Sequence, residues 1–231
     1  MAGTRDLKWD VRRLLSDSDR QRVLETVSSH RPRRIINTLI ARFYDEDALI
    51  RWRAIAAAGA VVSELASKDR ESARVVMRRF MWMLNDESGG IGWGAPEAMG
   101  ETAALSPAMA EEYGEILCSF VYPDRNFLEH PGLQRGLLWG LGRLAQARPQ
   151  RVQEALPHIL SFTESGDAVH RGHAAWAAGN IKDPGALENL EHLFSDHGEI
   201  DFFENWYIRR VRVAELARHA AAKITHTEGQ S

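Results

Sequence analysis

Asp47-Ala-Leu-Ile-Arg51-Trp-Arg-Ala-Ile-Ala-Ala-Ala-Gly59 recurs later in the chain as Asp167-Ala-Val-His-Arg171-Gly-His-Ala-Ala-Trp-Ala-Ala-Gly179. Asp, Arg and Gly keep the same offsets, 0, +4 and +12, with small residues between them. Looser copies begin at Ser88, His130 and Asn205, so the starts at 47, 88, 130, 167 and 205 lie 41, 42, 37 and 38 residues apart. A period near forty holds two helices and two turns, the signature of a helical repeat array. The expected fold is therefore all-α, an α-solenoid of five two-helix repeats.

A second helix precedes each marked segment. Pro32 to Tyr44 carries Ile35, Ile36, Leu39, Ile40 and Phe43 at the spacing of one buried helix face. Glu71 to Leu84 repeats the pattern, and Pro107 to Val121, Pro149 to Phe162 and Pro184 to Phe194 each open on a proline, tolerated in a first turn. Asp45, Asp86, Asp124, Asp167 and Asp196 interrupt the chain between paired helices. Residues 1–30 read as a capping region with one helix over Asp17 to His30, repeats fill 31–224 and a frayed tail covers 225–231. The last helix is placed at Trp206 to Ile224. No stretch alternates with period two long enough to predict a strand, and no linker divides this single domain.

Within the second helices, offsets +3, +8, +11 and +14 give Ile50, Ile55 and Val61, then Leu133, Leu138, Leu141 and Leu144, which are core. Gly59, Gly100, Gly142 and Gly179 share one offset. Glycine inside a helix costs about 1 kcal/mol relative to alanine, so four of them imply close helix–helix approach.

The Asp47–Arg51 and Asp167–Arg171 pairs, with Gly59, Gly179 and the segment Gly166 to Phe194, resemble HEAT repeats, in particular the short variety of the phycobilisome lyases. The resemblance spans nearly the whole chain and is strict in two repeats. It implies a curved stack whose second helices line the concave side.

On that side, offsets +5, +6, +9 and +13 collect Trp52 and Arg53; Trp93, Glu97 and Glu101; Arg135, Trp139 and Arg143; His173, Trp176 and Asn180; then Arg210 and Arg218. Four of the seven tryptophans fall on this stripe, where a solvated face would carry Lys and Glu. Two readings follow: a recognition surface built around aromatic anchors, or tryptophans packed on one another inside a tight superhelix. Glu97 and Arg135 are expected to pair across adjacent helices.

The function expected is a non-enzymatic scaffold that binds a protein partner on the concave face, with no cofactor. Two other classes compete. Arg31, Arg33 and Arg34, with Arg209, Arg210, Arg212 and Arg218, raise nucleic-acid binding, which Glu97 and Glu101 in mid-stripe disfavour. Glu97, Glu101 and His173 raise a metal- or cofactor-associated enzyme. HEAT-repeat iron hydroxylases carry repeated His-Glu dipeptides, and this sequence has none. The glycine-rich stretch Asn85 to Glu97 has acids beside it and no preceding strand, which argues against a phosphate loop. Net charge is −3, the apolar runs are too short to span a bilayer, and the single cysteine, Cys118, fits a reducing compartment; the expected location is cytoplasmic.

Overall fold

The structure, a computed structural model, describes residues 4–85 and 91–228. The first helices of the five repeats are α3 (Pro32–Ile40), α5 (Arg70–Leu84), α7 (Pro107–Ser119), α9 (Leu156–Leu160) and α11 (Leu187–His192). Their partners are α4 (Ala48–Lys68), α6 (Ala95–Leu105), α8 (Pro131–Ala147), α10 (Ala168–Ile181) and α12 (Val213–Glu228). Ahead of them stand α1 (Thr4–Leu15) and α2 (Arg20–Ser28), two helices where the sequence suggested one. The expected α-solenoid is what the chain forms, with α4, α6, α8, α10 and α12 packed side by side in chain order.

The repeated Asp and Arg hold each second helix to the turn before it. Asp47 Oδ1 caps α4 by accepting from the Leu49 and Ile50 amides, and Asp167 Oδ1 caps α10 by accepting from Val169. One turn on, Arg51 donates to the Asp45 and Glu46 carbonyls, and Arg171 donates to the Ser165 carbonyl and to Asp196. Asp45 in turn receives Arg12 and Arg42, which ties α1 to the first repeat.

The shared glycines are contact points between second helices. A Cβ on Gly59 would overlap Glu101, one on Gly100 the Gly140 backbone, one on Gly142 the Trp176 ring, and one on Gly179 the Ala220 backbone. Leu133, Leu138, Leu141 and Leu144 lie in the continuous apolar core as their offsets required.

Several boundaries differ from the sequence reading. Pro149 to Phe162 is broken into short 3-10 turns around α9, because Pro157 removes an amide in mid-stretch. Residues 184–195 are broken in the same way around α11. The tail expected from Thr225 is still helical to Glu228. Ser88, the expected start of the second copy, and Asp86 lie outside the described residues.

The largest correction concerns the fifth repeat. Asn205 does not begin a helix, and Trp206 to Arg212 is not helical. Strands β1 (Glu199–Glu204) and β2 (Tyr207–Arg212) form an antiparallel hairpin, with Glu204 opposite Tyr207. Asn205 and Trp206 make its two-residue tip, both with positive φ (51° and 76°). Tight hairpins need that conformation; asparagine adopts it readily, but a tryptophan there is strained.

The strain is held by contacts. Trp206 is buried, its Nε1 donates to the Asp17 carbonyl (3.1 Å), and its own carbonyl accepts from Arg53 Nε (3.1 Å). The hairpin springs from the fifth repeat and its tip meets the first. Six strand residues reach about 20 Å, whereas four helix spacings in a straight row cover about 32–40 Å. Curvature of the array closes the difference.

Two outcomes test this architecture. Gly142→Leu should lower stability by about 3 kcal/mol or more through collision with Trp176; an unchanged melting temperature would refute the glycine contacts. Trp206→Ala should speed amide exchange across residues 199–212 while leaving α6 and α8 protected, since the latch alone is removed.

Candidate functional site

The tryptophan stripe divides in two under the hairpin. Trp139 and Trp176 are buried and stack with ring centroids 6.1 Å apart. Phe203 lies parallel to Trp52 at 5.2 Å, Phe202 meets Trp176 edge-on at 5.2 Å, and Trp139 Nε1 donates to the Phe203 carbonyl. For Trp139 and Trp176 the recognition reading is corrected: they are core, because β1 covers them.

Arg53 and Asn180 are buried as well. Asn180 donates to the Gly142 carbonyl and accepts from Lys223. Arg210 is not on the last helix but on β2, where it pairs with Glu199 and Asp201 at the surface. Arg218, on α12, donates to the Phe194 carbonyl.

What β1 leaves uncovered is a cavity of about 490 Å³ between α4, α6, α8, α10 and Asp201 of the hairpin. Trp52, Trp93, Glu97, Arg135 and His173 from the predicted stripe line it, together with Phe43, Tyr44, Arg51 and Asp201. Its shape depends on two glycines one turn apart on α8. A Cβ on Gly132 would overlap the Trp93 ring, and one on Gly136 would overlap the Glu97 carboxylate. Trp93 is therefore laid against α8, edge-on to His130 at 5.2 Å, and stays 37% exposed. Gly94, at φ 78°, turns the chain from Trp93 into α6, and Pro96 sits in that helix's first turn as expected.

Two acceptors in this cavity lack a partner. Glu97 Oε2 is shielded and makes no hydrogen bond, and burial raises the carboxyl to about 7. His173 donates from Nδ1 to the Arg135 carbonyl (2.9 Å), which leaves Nε2 as a lone-pair acceptor. That nitrogen is also unpartnered, and burial lowers the imidazole to about 4.

The expected Glu97–Arg135 pair is not formed. Arg135 Nε instead reaches Asp167 Oδ2 at 2.6 Å, because the cap of α10 stands beside it while Glu97 is folded into the Gly136 notch. Glu101 is taken by Arg143, also at 2.6 Å. Glu97, Glu101 and His173 thus do not gather as one ligand set, and among the described residues no three His, Cys, Asp or Glu side chains converge as a metal site. His170, between Ser165 and the Pro131 carbonyl, is a satisfied interior histidine. The Cys118 thiol is buried and pushed up to about 12.

The sequence reading missed Phe43, Tyr44, Gly132, Gly136 and Asp201. The two glycines four apart, opposite Trp93 and Glu97 on the preceding helix, were the available signal.

Glu97 gives a pH test. Its folded carboxyl, near 7 against an ordinary 4.5, holds a proton that the unfolded chain has already released. Stability therefore falls as pH rises through that window. Glu97→Gln should exceed the wild type by about 1–3 kcal/mol at pH 8 and converge with it near pH 5. Thermal melts at both pH values check this; a variant less stable at pH 8 would mean that the carboxylate is already compensated.

No protein-family profile matches the chain. A protein of Archaeoglobus fulgidus described as uncharacterized is 26% identical over 184 residues, covering 77% of this chain and 91% of that one. Among solved structures, an engineered protein aligns with a TM-score of 0.53 and 16% identity over 94% of this chain and 97% of its own. A designed armadillo repeat protein in complex with the peptide (KR)4 aligns with a TM-score of 0.53 and 17% identity over 93% and 98%. The fold is thus that of the armadillo-like repeat proteins.

Proposed function

We propose that this chain is a non-enzymatic binding module that takes a segment of a protein partner into the cavity bounded by Trp52, Trp93, Glu97 and His173. The observation that carries the reading is the pair of shielded, unpartnered acceptors in an aromatic-lined cavity. Unpaired buried acceptors each cost about 1–3 kcal/mol, and a bound partner that donates to them recovers that loss. The volume of about 490 Å³ lies within the range of ligand-binding clefts. A designed armadillo repeat protein of similar fold is described with a peptide bound, which lends the reading a precedent in architecture.

The same reading makes the chain one domain working in the cytoplasm. Its support is the lone buried cysteine; in addition, no helix among the described residues is long and apolar enough to cross a membrane. Nucleic acid is the weaker partner class. Arg209 and Arg210 of the hairpin are already paired with Glu204, Glu199 and Asp201, which lowers the positive potential that phosphates require.

Gly132→Leu provides the control for a test, since its side chain displaces Trp93 into the cavity mouth. Wild type immobilised against a random peptide library should enrich sequences that the Gly132→Leu protein does not. Equal enrichment, or none, would reject the cavity as a peptide site.

A further inference from the structure

Resting on that reading, we infer that the group entering the cavity is an N–H-bearing organic cation: one ammonium or guanidinium, carried on a basic side chain of the partner. The first argument is donor–acceptor balance. His173 Nε2 can only accept, because Nδ1 is committed to the Arg135 carbonyl. An ionised Glu97 also only accepts, and its shielded Oε2 has no donor near it. A ligand satisfying both must bring donors.

The second argument is charge. The two cations at the cavity wall are already engaged, Arg135 by Asp167 and Arg51 by the Asp45 and Glu46 carbonyls. The Glu97 carboxylate is in no ion pair among the described residues and its Oε2 has no donor, so a cation that brings N–H groups has an acid to meet there. An incoming anion would meet that carboxylate directly, while Arg51 Nη1 is already spent on two carbonyls and Arg135 on Asp167. The third argument is the walls: the indoles of Trp52 and Trp93 line the cavity, and aromatic rings of this kind attract cations.

Size selects a single group rather than an extended peptide. In an open solenoid the concave side is a continuous groove. Here Phe202 and Phe203 fill its middle and the hairpin tip is latched to Asp17 and Arg53. What remains receives one side chain at a time.

The test is calorimetric titration of the full chain with n-butylammonium, n-butylguanidinium, tetramethylammonium and butyrate. Either of the first two should bind wild type, tetramethylammonium, which has no N–H, should bind at least tenfold more weakly, and butyrate should not bind. Glu97→Gln should weaken the binding cation by tenfold or more with its melting temperature retained or raised. Gly136→Ala keeps the carboxylate but drives it from its notch, and should do the same; it serves if Glu97→Gln fails to fold. Binding of butyrate alone, or cation binding unchanged in both variants, overturns the inference. So does a preference for tetramethylammonium.

An acetylated tripeptide with a central lysine, set against spermidine, separates a side chain from a free polyamine, and tighter binding of spermidine overturns the peptide source. If the library yields peptides that n-butylammonium does not displace, the cation fails while the binding module stands. If n-butylammonium binds and no peptide is enriched, the module reading fails and the cation site stands.

Discussion

Arg53 is a buried cation that forms no ion pair among the described residues, and the tryptophan-bearing face of the protein is arranged around how it is held. Its guanidinium donates to the carbonyls of Leu15 and Asp17 and to that of Trp206. Leu15 ends α1, so its carbonyl is one of the orphans of a helix C-terminus, where partial negative charge collects. Burial lowers the affinity of Arg53 for its proton, and three carbonyl dipoles with the Trp206 ring at 5.4 Å offset that penalty. One side chain of the first repeat thereby joins the capping helices to the hairpin of the last. Removing it would leave three carbonyls unpaired and a strained tip without its anchor.

Once that joint is made, the fate of the tryptophans follows. A hairpin crossing from α12 to α4 must lie over the face that carries them, and its two phenylalanines need apolar cover. Trp52, Trp139 and Trp176 supply it. Alternation in β1 places Ile200 and Phe202 toward α10, and Phe203 toward α4 and α8, with Asp201 on the same side as Phe203. Asp201 consequently stands at the cavity rim rather than in the core. The covering strand also sets the size of what is left open, which is why the site is a cavity and not a groove.

Much of the scaffold could be read from the chain, and the reasons for the gaps are local. The Asp, Arg and Gly offsets identified caps, turn anchors and helix contacts, because each is enforced by backbone geometry within its own repeat. The hairpin escaped because Glu199-Ile-Asp-Phe202 alternates for only a few residues, and Phe203 then breaks the alternation to meet Trp52. Its turn also lacks the expected glycine, Trp206 being held at positive φ by groups 153 and 189 residues away in sequence. For the site, five of the thirteen expected residues line the cavity: Trp52, Trp93, Glu97, Arg135 and His173. The Glu97–Arg135 pairing failed because equal offsets locate Cα atoms, whereas Gly136 decides where the Glu97 side chain lies.

That notch is also what makes Glu97 unusual among the acids of the chain. Asp45, Asp167, Asp196 and Glu112 all sit beside arginines, and their carboxyls are held below the ordinary range. Glu97 moves the other way, since the glycine that admits it provides no donor in return. A carboxylate placed at random on this surface would find one of the many arginines, as Glu101 does one turn further along α6. Keeping one acid apart needs a residue without a side chain on the facing helix, a neighbouring arginine diverted to Asp167, and a histidine whose only proton points elsewhere. The ion pair and the histidine hydrogen bond are favourable in themselves; what the three arrangements leave together is a pair of unpartnered acceptors, Glu97 Oε2 and His173 Nε2, that an incoming donor completes.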